Sequence, residues 1–371
     1  YVLTLLSLVA TGAGLSVAGY RVVRDSTAGR TVDLVLDPSQ PGFEAFFEPT
    51  PTMLVLATDA QGALAGATLL AAGSDESAAA VMVVPTRLRV PGTAGETTLD
   101  QVLATQGADA TRQALALRIG VGIAEVTQLD PTGLAALVRP VEPLQLRSRG
   151  DVPGYPAGTI GLPADAAAAY FAALADGEAE TARLRRQEDV WDALGAALGA
   201  AGPTAVAGEA DAGISRFLHG LAADAQDAQS LPVTSTTDAA GAPAYEVVVQ
   251  DLTYVMAEVV PFPSSPAPGT KVRVRLLDGA ADPARRDDAA RALADAGAEI
   301  VVIGNASSFD RVGTEVVHHA AEGVGAAEIL AYALGGGATV REEIGPTDSY
   351  DVTVIVGADP DQTEAVPPPS S

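Results

Sequence analysis

The first twenty residues form one uninterrupted apolar segment. Tyr1 to Tyr20 contains no charged side chain, and Arg21 and Arg24 follow it directly. As an α-helix this segment rises about 30 Å, which matches the hydrocarbon thickness of a bilayer. A cleaved secretion signal has a shorter apolar region of roughly 7–15 residues, so the length favours a retained anchor over a signal peptide. We therefore predict a single-pass transmembrane helix at 1–23 in the cell membrane, with the main body of the chain on the extracytoplasmic side.

The same segment repeats a small side chain at every fourth position, at Ala10, Gly14 and Ala18. Small residues at this spacing let two membrane helices approach closely. One interpretation is a homodimer that forms through the transmembrane helix. The other is the ordinary small-residue content of an alanine-rich chain, which the composition favours.

Beyond the anchor, short apolar runs alternate with stretches of helical spacing. A polar linker at 24–51 contains one strand candidate, Thr31 to Leu36. Met53 to Ala57 predicts a buried strand, and the spacing in Leu99 to Gly122 predicts two helices broken near Gly107. Further strands are predicted at Thr68 to Ala72, Ala80 to Val84 and Ile123 to Leu129, and further helices at Pro131 to Val138, Asp165 to Ala175, Ala182 to Ala200 and Ser215 to Ala228. This alternation predicts an α/β domain with a central mixed sheet at 52–262.

A second, smaller α/β domain is predicted at 271–358, behind a Pro-rich linker at 263–270. Its strands are predicted at Lys271 to Leu277, Glu299 to Ile303, Thr314 to His318 and Tyr350 to Val356, and its helices at Pro283 to Ala296 and Gly325 to Leu334. The acidic tail at 359–371 ends in three prolines and two serines. We predict that this tail is disordered.

Charge and composition exclude several classes of function. The 22 Lys and Arg residues stand against 47 Asp and Glu, which gives a net charge of −25. This excess disfavours nucleic acid as a partner, because phosphates require clustered cations. The chain has no Cys, which excludes disulfides, thiolate metal sites and thiol catalysis. His318 and His319 end a predicted strand, and we expect them at the surface rather than at a metal.

Motifs in both domains, in order and spacing, resemble a known pair of domains. In the larger domain they are Met53-Leu-Val-Leu-Ala-Thr-Asp59, Val83-Val-Pro85, Tyr155-Pro-Ala-Gly158 and Arg183-Leu-Arg-Arg-Gln187, and in the smaller one Val272-Arg-Val-Arg-Leu-Leu-Asp-Gly279, Asp295-Ala-Gly297, Gly304-Asn-Ala306 and Val316-Val317. The first set resembles a LytR-CpsA-Psr (LCP) domain, and the second resembles the LytR C-terminal domain that often follows it. An anchor, an LCP domain and a LytR C-terminal domain together form a layout familiar from actinobacterial envelope proteins.

The resemblance implies a specific chemistry. LCP enzymes transfer an anionic glycopolymer from a polyprenyl-diphosphate carrier onto peptidoglycan, and a buried tunnel holds the lipid. At the tunnel mouth, arginines bind the diphosphate and carboxylates bind Mg²⁺. Fixed cations that are in place beforehand stabilise the charge of a migrating phosphoryl group, and bidentate guanidinium suits this task better than ammonium.

This chain departs from the LCP pattern at the positions that carry this chemistry. The family's metal-binding Asp is replaced by Ala67, and three arginine positions hold Thr86, Ala172 and Leu174. Gln61 replaces a further arginine in the early turn, and Glu180 stands for an Asp. Loss of one preorganised donor costs about 2.7–4 kcal/mol, so even two such losses lower turnover by about 10⁴-fold.

Arg183, Arg186, Gln187 and Asp59 remain from the family set, and Arg87 or Arg89 could compensate for the arginine that Thr86 replaces. The candidate residual phosphate ligands are Arg87, Arg89, Arg183, Arg186 and Gln187, and the weaker candidate metal ligands are Asp59 and Glu180. Arg183, Arg186 and Gln187 share one helix face, because they are three and four positions apart, and Glu180 lies one turn earlier on it. The alternative is an exposed helix face with an ordinary ion pair between Glu180 and Arg183. Trp191 belongs to the opposite stripe, where we expect it to pack in the core.

The sequence therefore favours a pseudoenzyme: a membrane-anchored envelope protein that binds a polyprenyl-phosphate lipid, a cell-wall glycan or an envelope protein without catalysis. The alternative is an active glycopolymer–peptidoglycan phosphotransferase, rebuilt from the candidate arginines and using Mg²⁺. A third hypothesis is a structural interaction module that docks through the C-terminal domain.

Overall fold

The computed structural model describes residues 35–358, except 47, 73–78, 94, 176, 211, 225–226, 268, 336 and 346–348. The predicted anchor at 1–23, most of the strand candidate at Thr31 to Leu36 and the whole tail at 359–371 lie outside these residues. Among the helices that are described, none has both the length and the apolar character that crossing a bilayer requires. The chain forms two compact units, a central unit of residues 48–270 and a C-terminal unit that combines residues up to 47 with residues 271–371.

The strands and helices alternate as the sequence predicts, with several additional short strands. The strands are β1 (Glu44–Phe46), β2 (Thr52–Thr58), β3 (Leu64–Ala72), β4 (Ala79–Val84), β5 (Arg89–Gly92), β6 (Gly95–Thr98), β7 (Glu125–Leu129), β8 (Leu144–Ser148), β9 (Gly158–Leu162), β10 (Gln229–Ser230), β11 (Val233–Thr237), β12 (Pro243–Val247), β13 (Arg273–Asp278), β14 (Glu299–Asn305), β15 (Glu315–His318), β16 (Thr339–Glu342) and β17 (Val352–Val356). The helices are α1 (Leu99–Gln106), α2 (Ala108–Ile119), α3 (Pro131–Val138), α4 (Ala164–Ala172), α5 (Glu180–Ala201), α6 (Gly213–Ala223), α7 (Val249–Val259), α8 (Pro283–Asp295) and α9 (Val324–Ala333).

The central unit is built on a mixed sheet. Among the described residues its strand order is β10-β4-β3-β2-β7, in which β2, β3 and β4 run antiparallel and β7 and β10 join in parallel. Every residue of β2, β3 and β4 is buried, because helices cover both faces of the sheet. Met53 and Val55 point to one core with Trp191 of α5, whereas Leu54 points to a second core with Leu115 of α2. The predicted α/β class with a central mixed sheet is confirmed.

The C-terminal unit is also a mixed α/β structure, and its sheet has one strand from a distant part of the chain. The order of its described strands is β1-β14-β13-β17-β15-β16. Alternate residues such as Leu276 and Val354 pack against Leu293 of α8 and Leu330 of α9 on one face. The opposite face has only a small apolar cluster of Leu277, Ala306 and Ile355, to which no helix contributes. One face of this sheet is therefore covered by two helices, and the other face carries a small apolar cluster without a helix over it.

Strand β1 lies inside the segment that the sequence analysis treats as a linker at 24–51. It pairs antiparallel with β14, with Ala45 opposite Ile303. Gly304 permits this pairing, because a Cβ atom there would lie 2.1 Å from the carbonyl oxygen of Phe43. The Nδ2 of the neighbouring Asn305 donates to the carbonyls of Pro38 and Gln40, at 2.8 and 2.7 Å. The Gly304-Asn-Ala306 motif thus attaches residues 38–46 to the sheet, and a short isolated strand of this kind has no hydrophobic run long enough to predict it.

Candidate functional site

Helix α5 carries the largest group of predicted site residues. It spans 22 residues. Glu180, Arg183, Arg186 and Gln187 are all buried, with exposed fractions of 8%, 6%, 0% and 0%. The alternative of an exposed helix face is therefore wrong. Helix α5 buries its apolar stripe and its charged face alike, so its charged groups must find partners inside the protein.

The first of these partnerships joins Glu180 to the loop after β4. The Oε1 of Glu180 accepts hydrogen bonds from the backbone N–H of Thr86 at 2.5 Å, from the Thr86 hydroxyl at 2.6 Å and from Arg183 Nη2 at 2.7 Å. Arg183 Nη2 also donates to the Thr86 hydroxyl oxygen at 2.9 Å. Thr86, which replaces a family arginine, thus helps to bind a carboxylate instead of presenting a cation. Glu180 and Arg183 therefore form a buried ion pair that is also hydrogen-bonded to Thr86.

The second partnership surrounds Arg186 with acceptors. Its Nη1 pairs with Asp151 at 2.9 Å and also with Glu178, and its Nη2 donates to Glu178 at 2.8 Å and to the carbonyl of Ala173 at 2.6 Å. The hydrogen bond from Arg186 lowers the pKa of Glu178 despite the opposing effect of burial. Ala173 lies between the two positions, Ala172 and Leu174, where the LCP pattern has arginines. Arg186 therefore stabilises this segment and has two carboxylates of its own.

Gln187 links α5 to two neighbouring elements. Its Nε2 donates to the carbonyls of Ala65 and Phe171, at 3.0 and 3.3 Å. Gly66 makes the approach to β3 possible, because a Cβ atom there would lie 2.6 Å from Gln187 Nε2 and from the Phe171 ring. The Oε1 of Gln187 is buried and has no hydrogen-bond partner among the described residues. In this arrangement Gln187 fastens α5 to the sheet.

The two remaining candidate arginines are paired as well. Arg87 Nη2 lies 2.7 Å from Asp238. Arg89 lies 3.1 Å from Glu96 and 3.8 Å from Glu246. Each of the four candidate arginines therefore has at least one carboxylate of the same chain within ion-pair distance. Their assignment as phosphate ligands stays a prediction, and an anion at these groups would have to displace a carboxylate.

The candidate metal ligands do not form a site that suits Mg²⁺. The Oδ1 of Asp59 accepts the backbone N–H groups of Gln61 and Ala63, both at 2.9 Å, within the turn between β2 and β3. The Oε1 of Glu180 accepts three hydrogen bonds, one of them from Arg183, and its Oε2 accepts the backbone N–H of Arg87 at 3.4 Å. In the part of the chain that the structure describes, no three His, Asp or Glu side chains are grouped to hold a metal ion. Magnesium is usually bound by one or two carboxylates together with water, and one of the two candidates, Glu180, is already paired with Arg183.

Several acidic residues that pair with the candidate arginines were not predicted from the sequence. They are Asp151, Glu178, Asp238 and Glu246. Nothing in the local spacing points to them, since Asp151 and Asp238 come from distant loops. The only signal is the large excess of acidic residues, which makes an unpaired buried arginine improbable in this chain.

The predicted positions of Trp191 and His318 have different outcomes. Trp191 packs in the core as expected, with an exposed fraction of 2%, whereas His318 is buried, with an exposed fraction of 5%, and does not lie at the surface. The His318 ring is covered because Nδ1 turns back onto the carbonyl of Ala320 at 2.8 Å.

We expect Glu188→Gln to raise the stability of the protein at pH 7 and to reduce its dependence on pH. Burial raises the pKa of Glu188; the hydrogen bond from Ser230 opposes the shift, and Asp192 and Asp189 add to it. A carboxyl whose pKa is higher in the folded state stabilises the fold as the pH falls from 7 through the raised value towards the ordinary value of about 4.3. Gln removes the charge and retains an oxygen for Ser230.

Thermal unfolding of both proteins between pH 7 and pH 5 checks this prediction. The wild-type protein should gain more stability on acidification than the variant does. An identical response of the two proteins to pH would contradict the assignment. Glu209→Gln, which makes the same substitution at an exposed position of the central unit, serves as the control for a change of charge without burial.

Comparisons with known proteins identify one part of the chain. Residues 271–359 match the family model described as LytR cell envelope-related transcriptional attenuator. No curated protein matches the chain. Among solved structures, the chain is similar to TagT from B. subtilis, with 16% sequence identity and a TM-score of 0.45, over 62% of this chain and 93% of that chain.

Two further solved structures show a likeness at the same level. A transcriptional regulator from Enterococcus faecalis has 18% identity and a TM-score of 0.47, over 57% of this chain and 86% of that one. The LytR-CPS2A-psr family protein YwtF (TagT), with bound octaprenyl pyrophosphate lipid, has 17% identity and a TM-score of 0.45, over 62% of this chain and 97% of that one. Likeness this distant says nothing about the chemistry of this chain's residues. The family match, in contrast, confirms the predicted C-terminal domain: residues 271–359 of this chain belong to the LytR C-terminal family.

Proposed function

We propose that this protein acts in assembly of the cell envelope and that its central unit is an LCP-like domain without phosphotransferase activity. The LytR C-terminal domain supports a role at the envelope, and the four motifs of the central unit support its LCP character. The apolar segment at 1–20 supports an anchor at 1–23 in the cell membrane, with the body outside the cytoplasm. The proposed partners are a polyprenyl-phosphate lipid, a cell-wall glycan or an envelope protein, with self-association through the anchor as a further proposal.

One observation carries the proposal of inactivity: the two buried arginines of α5, Arg183 and Arg186, are already paired with carboxylates of the chain itself. Phosphoryl transfer requires cations that are free to meet the charge of the diphosphate. Arg186 is fully buried between Asp151 and Glu178. If a diphosphate took Arg186 from these acids, it would leave the part-buried carboxylates of Asp151 and Glu178 without their cation, which opposes the exchange.

A turnover assay on the full chain tests the proposal. The protein is incubated with Mg²⁺, peptidoglycan and a glycan linked to a polyprenyl diphosphate, and cleavage of the diphosphate is followed. We expect no cleavage above that in a protein-free control. Mg²⁺-dependent cleavage that is lost in Arg183→Ala would overturn the proposal and favour the active phosphotransferase.

Lipid binding is tested separately. The protein is purified from its native membrane, and the extract is analysed by lipid mass spectrometry. A polyprenyl phosphate above the level of a detergent control would support a lipid partner for an inactive domain. Without such a lipid, the wall glycan and envelope proteins become the remaining partners, and binding of the chain to isolated peptidoglycan distinguishes between them.

A further inference from the structure

The helix-free face of the C-terminal sheet contains a cleft lined by cationic and hydroxyl groups. The register places Arg275 of β13 opposite Thr353 of β17, Thr353 opposite Val317 of β15, and Val317 opposite Arg341 of β16. Two arginines thus stand in one row across four strands. A cleft of about 230 Å³ lies over this row, and Arg311, His319 and Ile355 also line it.

The three arginines of the cleft differ in how far they are neutralised. Arg275 pairs with Glu44 of β1, and its guanidinium lies 5.4 Å from the ring centroid of Tyr350. Arg341 lies 2.8 Å from Glu343, which also lines the cleft, and 4.0 Å from Glu315. Arg341 and Glu343 are both about half exposed, and an exposed ion pair of this kind is weak enough for another anion to compete with it.

Arg311 forms no ion pair with a carboxylate among the described residues. The pKa of the neighbouring Asp310 is lowered mainly by its hydrogen bond with Ser308 and also by the charge of Arg311. The Nε of Arg311 is buried without a hydrogen-bond partner there, as is the Nε of Arg183.

The rest of the cleft is fixed in place. His319 Nε2 lies 2.9 Å from the Thr353 hydroxyl, and its Nδ1 lies 3.1 Å from the carbonyl of Glu343. Leu277, Ala306 and Ile355 form the apolar cluster on this face. A cleft with an apolar patch and a few positioned polar groups is typical of sites for small organic ligands. In a chain of net charge −25, three arginines at one cleft are a local exception.

We propose that this cleft binds a phosphate group, with Arg311 as its principal ligand and Arg341 and Arg275 beside it. A phosphate monoester carries about −1.5 to −2 charges and three acceptor oxygens near pH 7, which suits several guanidinium groups better than the single charge of a carboxylate does. Guanidinium binds phosphate oxygens in a bidentate geometry. The apolar patch accommodates the organic part of a phosphate ester. This site is independent of the central unit and of its proposed inactivity.

Phosphorus NMR of inorganic phosphate and of glycerol 3-phosphate, each added to the full chain, tests the proposal. We expect both resonances to broaden with the wild-type protein. Arg311→Gln and Arg341→Gln should each lower the affinity at least fivefold. The matched control is Arg291→Gln on α8, which makes the same change of charge at an exposed ion pair with Asp288 outside the cleft. It should leave the broadening unchanged.

The outcomes separate the proposal from its alternatives. If the ester binds more tightly than inorganic phosphate, the ligand is an organic phosphate, and equal affinities indicate free phosphate; both results support a phosphate site. Absence of broadening in the wild-type protein, or equal loss in Arg291→Gln, would overturn it. So would displacement of phosphate by acetate at equal concentration and ionic strength, because that result would show a site for any anion. Thermal unfolding of each variant confirms that the fold is intact, and Arg341, on the edge strand β16, tolerates replacement even if Arg311 does not.

Discussion

Arg186→Ala is expected to lower the free energy of unfolding of the central unit by about 3–5 kcal/mol. Arg186 is fully buried and holds together Asp151, Glu178 and the carbonyl of Ala173. Its removal leaves the part-buried carboxylates of Asp151 and Glu178 and the Ala173 carbonyl without this donor, and it opens a cavity where the guanidinium was fully buried. The loss therefore exceeds that of an ordinary surface ion pair several-fold.

Denaturant unfolding followed by tryptophan fluorescence measures this effect, because the only tryptophan of the chain, Trp191, lies in the same core. Arg185→Ala is the matched control, since Arg185 is exposed at the adjacent position. Its effect should stay within about 0.5 kcal/mol. A combined variant with Arg186→Met, Glu178→Gln and Asp151→Asn should recover much of the lost stability, because no buried charge is left unpaired. Equal stability of Arg186→Ala and Arg185→Ala would show that the buried ion pairs contribute nothing.

Trp191→Ala is expected to destabilise the central unit by about 3–5 kcal/mol, because it opens a cavity in a closely packed core. Trp191 is 2% exposed, and its indole N–H donates to the Thr68 hydroxyl at 3.1 Å. Trp191→Phe keeps most of the packing and loses this hydrogen bond together with part of the ring volume. We expect it to cost about 1–2 kcal/mol, well below the alanine variant.

The unfolding of both variants is measured by circular dichroism in the far ultraviolet, because neither variant retains the fluorescent side chain. The difference between them separates packing from hydrogen bonding at one position. If the two variants had equal stability, the packing assignment of Trp191 would fail. A ligand role for the indole would instead leave stability nearly unchanged in both.

Local patterns in the sequence predicted much of the fold. The alternation of apolar runs placed β2, β3 and β4, and Gly107, whose φ of +84° ends α1, placed the break between α1 and α2. The helix of Pro283–Asp295 begins where Asp282 accepts the backbone N–H of Arg285, as acidic residues at a helix N-terminus favour. Hairpins such as β8–β9 and the strand β16 were missed, because four or five residues of mixed polarity carry too weak a periodicity.

The site was predictable only in part. The spacing of Arg183, Arg186 and Gln187 correctly placed them on one helix face, but spacing cannot tell whether that face meets solvent or a carboxylate. The answer came from Thr86, Asp151 and Glu178, which are brought to α5 by the tertiary structure. Local spacing cannot predict pairs whose members are far apart in the sequence, such as Arg183 and Thr86, which are 97 positions apart. A family pattern shows which residues are missing, and only the structure shows what the remaining ones now bind.

The strand β1 makes the C-terminal unit discontinuous along the chain. Asn305 and Gln40, which share a hydrogen bond, are 265 residues apart. During synthesis residues 38–46 leave the ribosome long before β14 exists, so the central unit can fold while this strand still lacks its partner. A fragment that starts at residue 271 lacks β1 and exposes the outer edge of β14, and an unpaired strand edge promotes aggregation. An expression fragment of the LytR C-terminal domain should therefore carry residues 38–46 on a short connection, since sequence similarity alone delimits a unit that is one strand short.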